Sequence, residues 1–135
     1  MRIRCPRSAR VKRRTSRANG SGRLTRSSWA RAGPKGRGTW ASPALLEKDL
    51  AFDIRGQDGR RFWGVTTLSG GGEKTDEPFI GELTGKDYRS FVFADTDGFG
   101  NGQLDSNDTL SCCYMHTGGK SKSTVVSCTE VRRTR

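Results

Sequence analysis

Turn-forming residues divide the chain from Gly38 onward into short segments. Clusters of Gly, Asp, Asn and Ser recur there at a spacing of about 8 to 12 residues, which is typical of β-sandwiches and β-barrels. Strands fit between such turns, whereas most helices are too long for them. No helical period of apolar residues is sustained in the sequence. The spacing predicts an all-β domain.

Large apolar residues alternate with polar ones inside these segments. Leu50, Phe52 and Ile54 occupy every second position, and Phe91 and Phe93 repeat the pattern further along the chain. Successive side chains of a strand point to opposite faces, so each of these sets lies on one face. The alternation predicts strands with one buried face.

Tight turns connect the predicted strands. Asp58-Gly59 supplies the positive φ that short hairpin loops require. With an opening strand at residues 38–46, we count seven or eight strands in residues 38–135. Sequential hairpins favour an antiparallel meander, and its closure into a small barrel removes the unpaired edges. A two-sheet sandwich is the alternative.

The first part of the chain has a different composition. Residues 1–40 contain 13 of the 25 Lys and Arg residues and none of the 14 Asp and Glu residues. Residues 1–37 have too few apolar side chains to offset the entropy of ordering, which predicts a disordered basic tail before the domain at 38–135. Such a tail is a solvated extension, a targeting segment or an arm that binds nucleic-acid phosphates.

Several functional classes lack the residues they need. No apolar run approaches the length of a transmembrane helix, so we expect no membrane span. With one histidine, no G-x-S-x-G elbow and no P-loop, the common catalytic and phosphate-binding motifs are missing. We therefore expect a non-enzymatic protein without a cofactor, which binds a small ligand or a partner protein. Nucleic-acid binding through residues 1–37 is the alternative.

Three cysteines fall in the last predicted hairpin. If this hairpin turns at Gly119 and Lys120, Cys128 faces Cys112 or Cys113, depending on the length of the loop. Directly opposed cysteines are close enough for a disulfide. We take Cys113 and Cys128 as the predicted pair; in the alternative, all three cysteines are reduced. A disulfide would indicate an exported or periplasmic protein, although no signal peptide is evident.

The acidic loop after Phe93 partly resembles a calcium-binding loop. Asp95, Asp97 and Asn101 offer oxygen ligands, but position five of the loop is Phe99 and position twelve is Ser106, where the EF-hand pattern has glutamate. These three residues are a weak calcium candidate. In the alternative to calcium binding, the Asp and Gly residues provide only the backbone geometry of a turn.

An aromatic set is the remaining candidate site. Ligand pockets are commonly lined by such side chains together with a few polar groups. Most of the set also has to serve as core, because so short a domain has few apolar residues. The tentative ligand-binding residues are Trp40, Phe52, Phe62, Phe91, Phe93 and Tyr114.

The start of the predicted domain resembles a known family. Gly38-Thr39-Trp40 is similar to the Gly-x-Trp opening of the calycin barrels, the lipocalins and avidins. The resemblance implies a barrel in which Trp40 closes one end, and it implies no catalytic residue. Segments such as Phe62-Trp63-Gly64 and Asp95-Thr96-Asp97-Gly98 also resemble small exported bacterial proteins without an assigned activity.

Overall fold

The computed structural model of the chain describes residues 20–21, 25–33, 38–118 and 123–133. In these parts the backbone forms nine β-strands and no helix. They are β1 (Gly20–Ser21), β2 (Thr25–Ala32), β3 (Ala44–Asp58), β4 (Arg61–Gly70), β5 (Glu73–Thr84), β6 (Ser90–Ala94), β7 (Phe99–Leu104), β8 (Thr109–His116) and β9 (Thr124–Arg132). The described segments thus contain no helix that is long and apolar enough to cross a membrane.

Eight of the strands close into an antiparallel barrel. Each strand from β3 to β9 pairs with the next one, and β2 pairs with both β9 and β3. The predicted all-β meander and its closure into a small barrel are confirmed, and the sandwich alternative is wrong. Closure pairs backbone groups that an open sheet would leave exposed at its edges. The short β1 pairs with β3 on the edge that β2 also uses.

The strand that closes the barrel was not predicted. β2 lies within residues 1–37, and the opening strand expected at residues 38–46 starts only at Ala44. Gly38 makes a single bridge to Pro43. The boundary at residue 38 therefore falls after a strand of the barrel. β2 has no alternating apolar pattern, and its place is set by backbone pairing to neighbours on both sides. The short β1 also falls within the expected tail, and residues 1–19, 22–24 and 34–37 lie outside the described residues.

The strands are tilted with respect to the barrel axis. A row of directly paired residues leaves β3 at Gly56, continues through Trp63 of β4, and returns to β3 at Leu45. The row thus returns to β3 at a different residue from the one at which it left. Such a shift in register accompanies strand tilt in closed barrels. The connections after β4, β6 and β8 lie at one end, here named the open end. Those after β3, β5 and β7 lie at the other, the closed end.

A tight hairpin at the closed end connects β3 to β4. Asp58 pairs with Arg61, so Gly59 and Arg60 form a two-residue loop. Gly59 has a φ of 58°, the conformation that the Asp-Gly pair predicted. This hairpin sets the register in which Phe62 faces inward and Trp63 outward.

Most inward-facing side chains of the barrel are apolar, and they fill its closed half. The alternation predicted for Leu50, Phe52 and Ile54 is confirmed, because all three are buried. Phenylalanines in the centre pack mostly edge to face, with ring centroids 5.5 to 6.2 Å apart. The core consists of Leu50, Phe52, Ile54, Phe62, Phe79, Leu83, Phe91, Phe93, Leu104, Leu110, Cys112 and Val131.

Glycines make room for several of these rings. Gly81 lies opposite Phe62, and a Cβ added to it would lie 2.7 Å from the Cε2 atom of that ring. Gly100 stands in the same relation to Phe93, at 2.5 Å from Cε1. Glycine in a strand often marks such a close approach. The rings lie directly over the neighbouring backbone as a result.

A disulfide joins the last two strands. Cys113 and Cys128 are directly opposed in the β8–β9 pair, with their Cα atoms 4.0 Å apart, and they are bonded. The prediction of this pair is confirmed. Cys112 points to the opposite face of β8, where it is buried and free. Alternation along the strand therefore separates the two neighbouring cysteines.

Candidate functional site

The open half of the barrel contains a cavity of about 140 Å³. The side chains around it come from β3 to β6, from β8 and β9, and from the loop after β6. Thr75 and Asp97 are exposed, so the cavity reaches the surface at the open end. It is lined by Leu50, Phe52, Thr66, Leu68, Thr75, Glu77, Phe93, Asp95, Asp97, Cys112, Tyr114, His116, Ser127 and Thr129.

Aromatic rings form the inner wall of this cavity. Phe52 and Phe93 contact each other edge to face, with centroids 5.6 Å apart. The Tyr114 ring stacks beside Phe93 at 6.2 Å. These three belong to the set expected to bind a ligand, and the structure brings them together. They present apolar surface to anything that enters from the open end.

Carboxylates surround the mouth. Glu77, Asp95 and Asp97 all line the cavity, and no lysine or arginine is among the described residues that do so. The Glu77 carboxylate accepts a hydrogen bond from the Thr96 hydroxyl at 3.1 Å. The mouth therefore has a negative charge above an apolar wall.

Asp95 holds the loop between β6 and β7 in place. Its Oδ1 atom accepts hydrogen bonds from the backbone N–H groups of Asp97 and Gly98, at 2.9 and 2.8 Å. The same oxygen accepts a third hydrogen bond from the Tyr114 hydroxyl at 2.9 Å. Carboxylate side chains commonly stabilise turns in this way. Asp95 thus fixes both the loop and the tyrosine of the cavity wall.

Tyr114 remains a neutral phenol in this setting. Burial, the hydrogen bond to Asp95 and the nearby carboxylates Asp97 and Glu77 all raise the pKa of Tyr114 above its ordinary value. A deprotonated tyrosine would place another negative charge beside these groups. Its hydroxyl is therefore a hydrogen-bond donor that is committed to Asp95.

The only histidine of the chain lies beside this tyrosine. The His116 ring meets the Tyr114 ring edge-on at 5.9 Å. Its Nδ1 atom is buried and has no hydrogen-bond partner within the described parts of the chain. A buried polar atom without a partner is unfavourable.

Cys112 lies in the wall as well. Burial raises the pKa of its thiol to about 12, so the side chain remains uncharged at neutral pH. Because the thiolate is the reactive form, Cys112 acts here as a small apolar wall residue.

Other expected site residues lie elsewhere. Phe62 and Phe91 are buried in the core, outside the wall of the cavity. Trp40 is 80% exposed, so the prediction that it closes the barrel end is wrong. It lies in the connection from β2 to β3, which turns back through the Gly38–Pro43 bridge. A three-residue motif does not determine which side of such a connection faces the barrel.

The calcium candidate is not assembled either. Asp95 and Asp97 line the inner cavity, but Asn101 is exposed on the outer face of β7. No cluster of three or more potential metal-ligating side chains occurs in the described part of the chain. Asp95 and Asp97 lie in the loop before β7, whereas Asn101 lies within β7 and points outward because it alternates with the inward-facing Gly100 and Gly102.

Sequence reasoning missed Glu77 and His116 as cavity residues. Both are in phase with inward-facing neighbours, Glu77 with Phe79 and His116 with Tyr114. This alternation was the sequence signal that could have identified them as inward-facing residues.

Comparison of the chain with protein families, curated proteins and solved structures finds no match. We therefore infer the function from the shape and charge of this cavity.

Proposed function

We propose that this protein is a small-ligand-binding barrel, and that its ligand is a small organic cation with an apolar body. The observation that carries the proposal is an aromatic-walled cavity with three carboxylates at its mouth and no described lysine or arginine in its lining. The apolar body would lie against Phe52, Phe93 and Tyr114. The cationic group would remain near Glu77 and Asp97.

The size of the cavity supports a compact ligand. Cavities of about 150 Å³ hold a molecule the size of benzene. An aromatic amine with a short linker therefore fits, with its ring inside and its ammonium group at the mouth. The rings around the cavity also attract a cation through their negative faces.

We assign Asp95 a positioning role in this site. One of its oxygens already accepts three hydrogen bonds from the loop and from Tyr114. Glu77 and Asp97 also line the cavity, and we assign these two carboxylates to the ligand.

We also infer a calycin-like barrel in an oxidising compartment. The eight antiparallel strands and the cavity at one end support the first inference. Trp40 does not contribute to it, because its side chain is exposed. The Cys113–Cys128 disulfide supports the second inference, since such bonds persist in exported and periplasmic proteins.

A titration with phenylethylammonium tests the ligand class. Neutral phenylethanol and anionic phenylacetate serve as matched probes with the same ring, and binding is followed by calorimetry and by NMR shifts of the cavity residues. We expect the cation to bind tighter than the neutral probe by about fivefold, the order of one partly exposed ion pair. The anion should bind more weakly than both.

Two variants test whether the preference for the cation comes from the carboxylates at the mouth of the cavity. Glu77→Gln should remove much of the preference for the cation. Asp76→Asn is the matched control, because Asp76 is the neighbouring carboxylate on the outer face of the same strand. Equal affinity for all three probes, or equal effects of the two variants, would contradict the proposal. So would the absence of shifts at Phe93 and Tyr114 at millimolar probe concentration.

A further inference from the structure

A second feature lies on the outside of the barrel, away from the cavity. Trp63, Ile80, Val92 and Phe99 are large apolar residues that are 44, 69, 48 and 60% exposed. They stand on the consecutive strands β4 to β7. Together with Ala94, they are named the apolar face below. Exposed apolar groups of this extent commonly mark interaction surfaces.

Direct cross-strand pairing makes this face continuous. Trp63 pairs with Ile80, Ile80 with Ala94, and Ala94 with Phe99. Directly opposed residues have their Cβ atoms about 5 Å apart on the same side of a sheet. The side chains therefore form one row around the barrel, with Val92 beside it.

The same face contains both a hollow and projecting side chains. Ala94 is the smallest member of the row and lies between Ile80 and Phe99. A surface groove of about 780 Å³ extends along this region, with Trp63, Ile80, Ala94 and Phe99 among its lining residues. A projecting phenylalanine beside a hollow of this kind is complementary to a copy of itself.

We propose that the apolar face joins two copies of this chain in a symmetric dimer. In the isologous interfaces of such dimers, the same patch is used on both subunits. Phe99 of each copy would enter the groove of the other copy beside Ala94. The pairing closes at two copies, because both apolar faces are then covered.

The exposed area is sufficient for a weak dimer. Fully exposed aromatic side chains present about 150 to 250 Å² each, so the exposed parts of the apolar face amount to on the order of 400 Å² per copy. Two copies with their polar rims then reach the roughly 1,000 Å² at which specific interfaces begin. We therefore expect an affinity in the micromolar range.

The charges also permit self-association. From the start of β2 at Thr25 to Arg135 the chain has 16 basic and 14 acidic residues, so two barrels have little net repulsion. The rim of the groove has both signs, with Arg61 beside Asp58 and Glu82. If all charged residues of the rim had the same sign, the rims of the two copies would repel each other in a symmetric dimer. A basic surface for nucleic acid is absent from the described lining of the groove.

Sedimentation of the full chain over a concentration series tests the dimer. Moderate salt screens the charges of the basic N-terminal region during the measurement. We expect the parent protein to change from monomer to dimer in the micromolar range. Phe99→Glu should remain monomeric throughout, and Ala94→Trp, which fills the hollow without a charge, should weaken the dimer at least tenfold.

Leu45→Glu is the matched control. Leu45 is 80% exposed and lies outside the apolar face, at the far end of the row of paired residues that runs from Gly56 through Trp63 around the barrel. This variant should dimerise like the parent, and circular dichroism should show that all variants are folded. A parent protein that is monomeric at hundreds of micromolar would overturn the proposal. Equal loss in Leu45→Glu, an intact dimer in Phe99→Glu, or assemblies larger than two would also overturn it.

Discussion

Replacing Gly81 by alanine tests whether the core depends on a ring lying directly over the backbone. A Cβ atom at this position would lie 2.7 and 2.9 Å from two carbons of the Phe62 ring. Cβ atoms are essentially never so close to another heavy atom, so the ring has to move. Phe62 is 2% exposed, and Phe79 and Phe91 enclose it at 6.1 and 6.0 Å. These neighbouring rings oppose its displacement.

The expected loss follows from two opposing effects. Overpacking a closed core costs about 1 to 3 kcal/mol. Alanine recovers about 0.4 to 1 kcal/mol, because it restricts the unfolded chain more than glycine does. We therefore expect Gly81→Ala to lower the free energy of unfolding by about 1 to 2 kcal/mol. Urea unfolding followed by circular dichroism measures the change.

A second background isolates the ring contact. In Phe62→Leu the ring is absent, so Gly81→Ala should have no cost there and should recover about 0.5 kcal/mol. The two substitutions would then be coupled by about 1 to 3 kcal/mol in a double-mutant cycle. An unchanged or higher stability of Gly81→Ala alone would refute the reasoning. An equal loss in both backgrounds would also refute it.

Further expectations concern the cysteines and Trp40. Replacing both Cys113 and Cys128 by serine should cost about 3 kcal/mol for a loop of this length, and a reductant should lower the unfolding midpoint of the parent but not of the variant; an unaffected parent would contradict this. Since burial raises the pKa of Cys112 to about 12, iodoacetamide should label it at pH 8 only after denaturation, as peptide mass spectrometry can show; rapid labelling of the folded protein would exclude a buried thiol. Trp40→Ala should change the free energy of unfolding by less than about 0.5 kcal/mol, because the side chain is exposed; a loss of several kcal/mol in the same unfolding assay would show that it is buried.

Local patterns predicted much of the barrel. The alternation of Leu50, Phe52 and Ile54 predicted which face is buried, because the side-chain period of a strand is two. Asp58-Gly59 predicted a hairpin, and the spacing of the cysteines predicted that Cys128 faces Cys112 or Cys113, of which Cys113 forms the bond. Each of these signals comes from residues that are close in the chain or joined by one turn.

The closing strand and the cavity were decided by the tertiary structure. β2 has no apolar pattern of its own, and it becomes a strand because β3 and β9 leave a gap that its backbone groups fill. Glu77 and His116 come from different strands and Asp95 from the loop after β6, and they surround one cavity only when the barrel closes. The sequence by itself determined which side chains each strand turns inward, because that depends on phase alone. Which of them lie beside a cavity depends on strand order and tilt, and pairing between distant parts of the chain sets both.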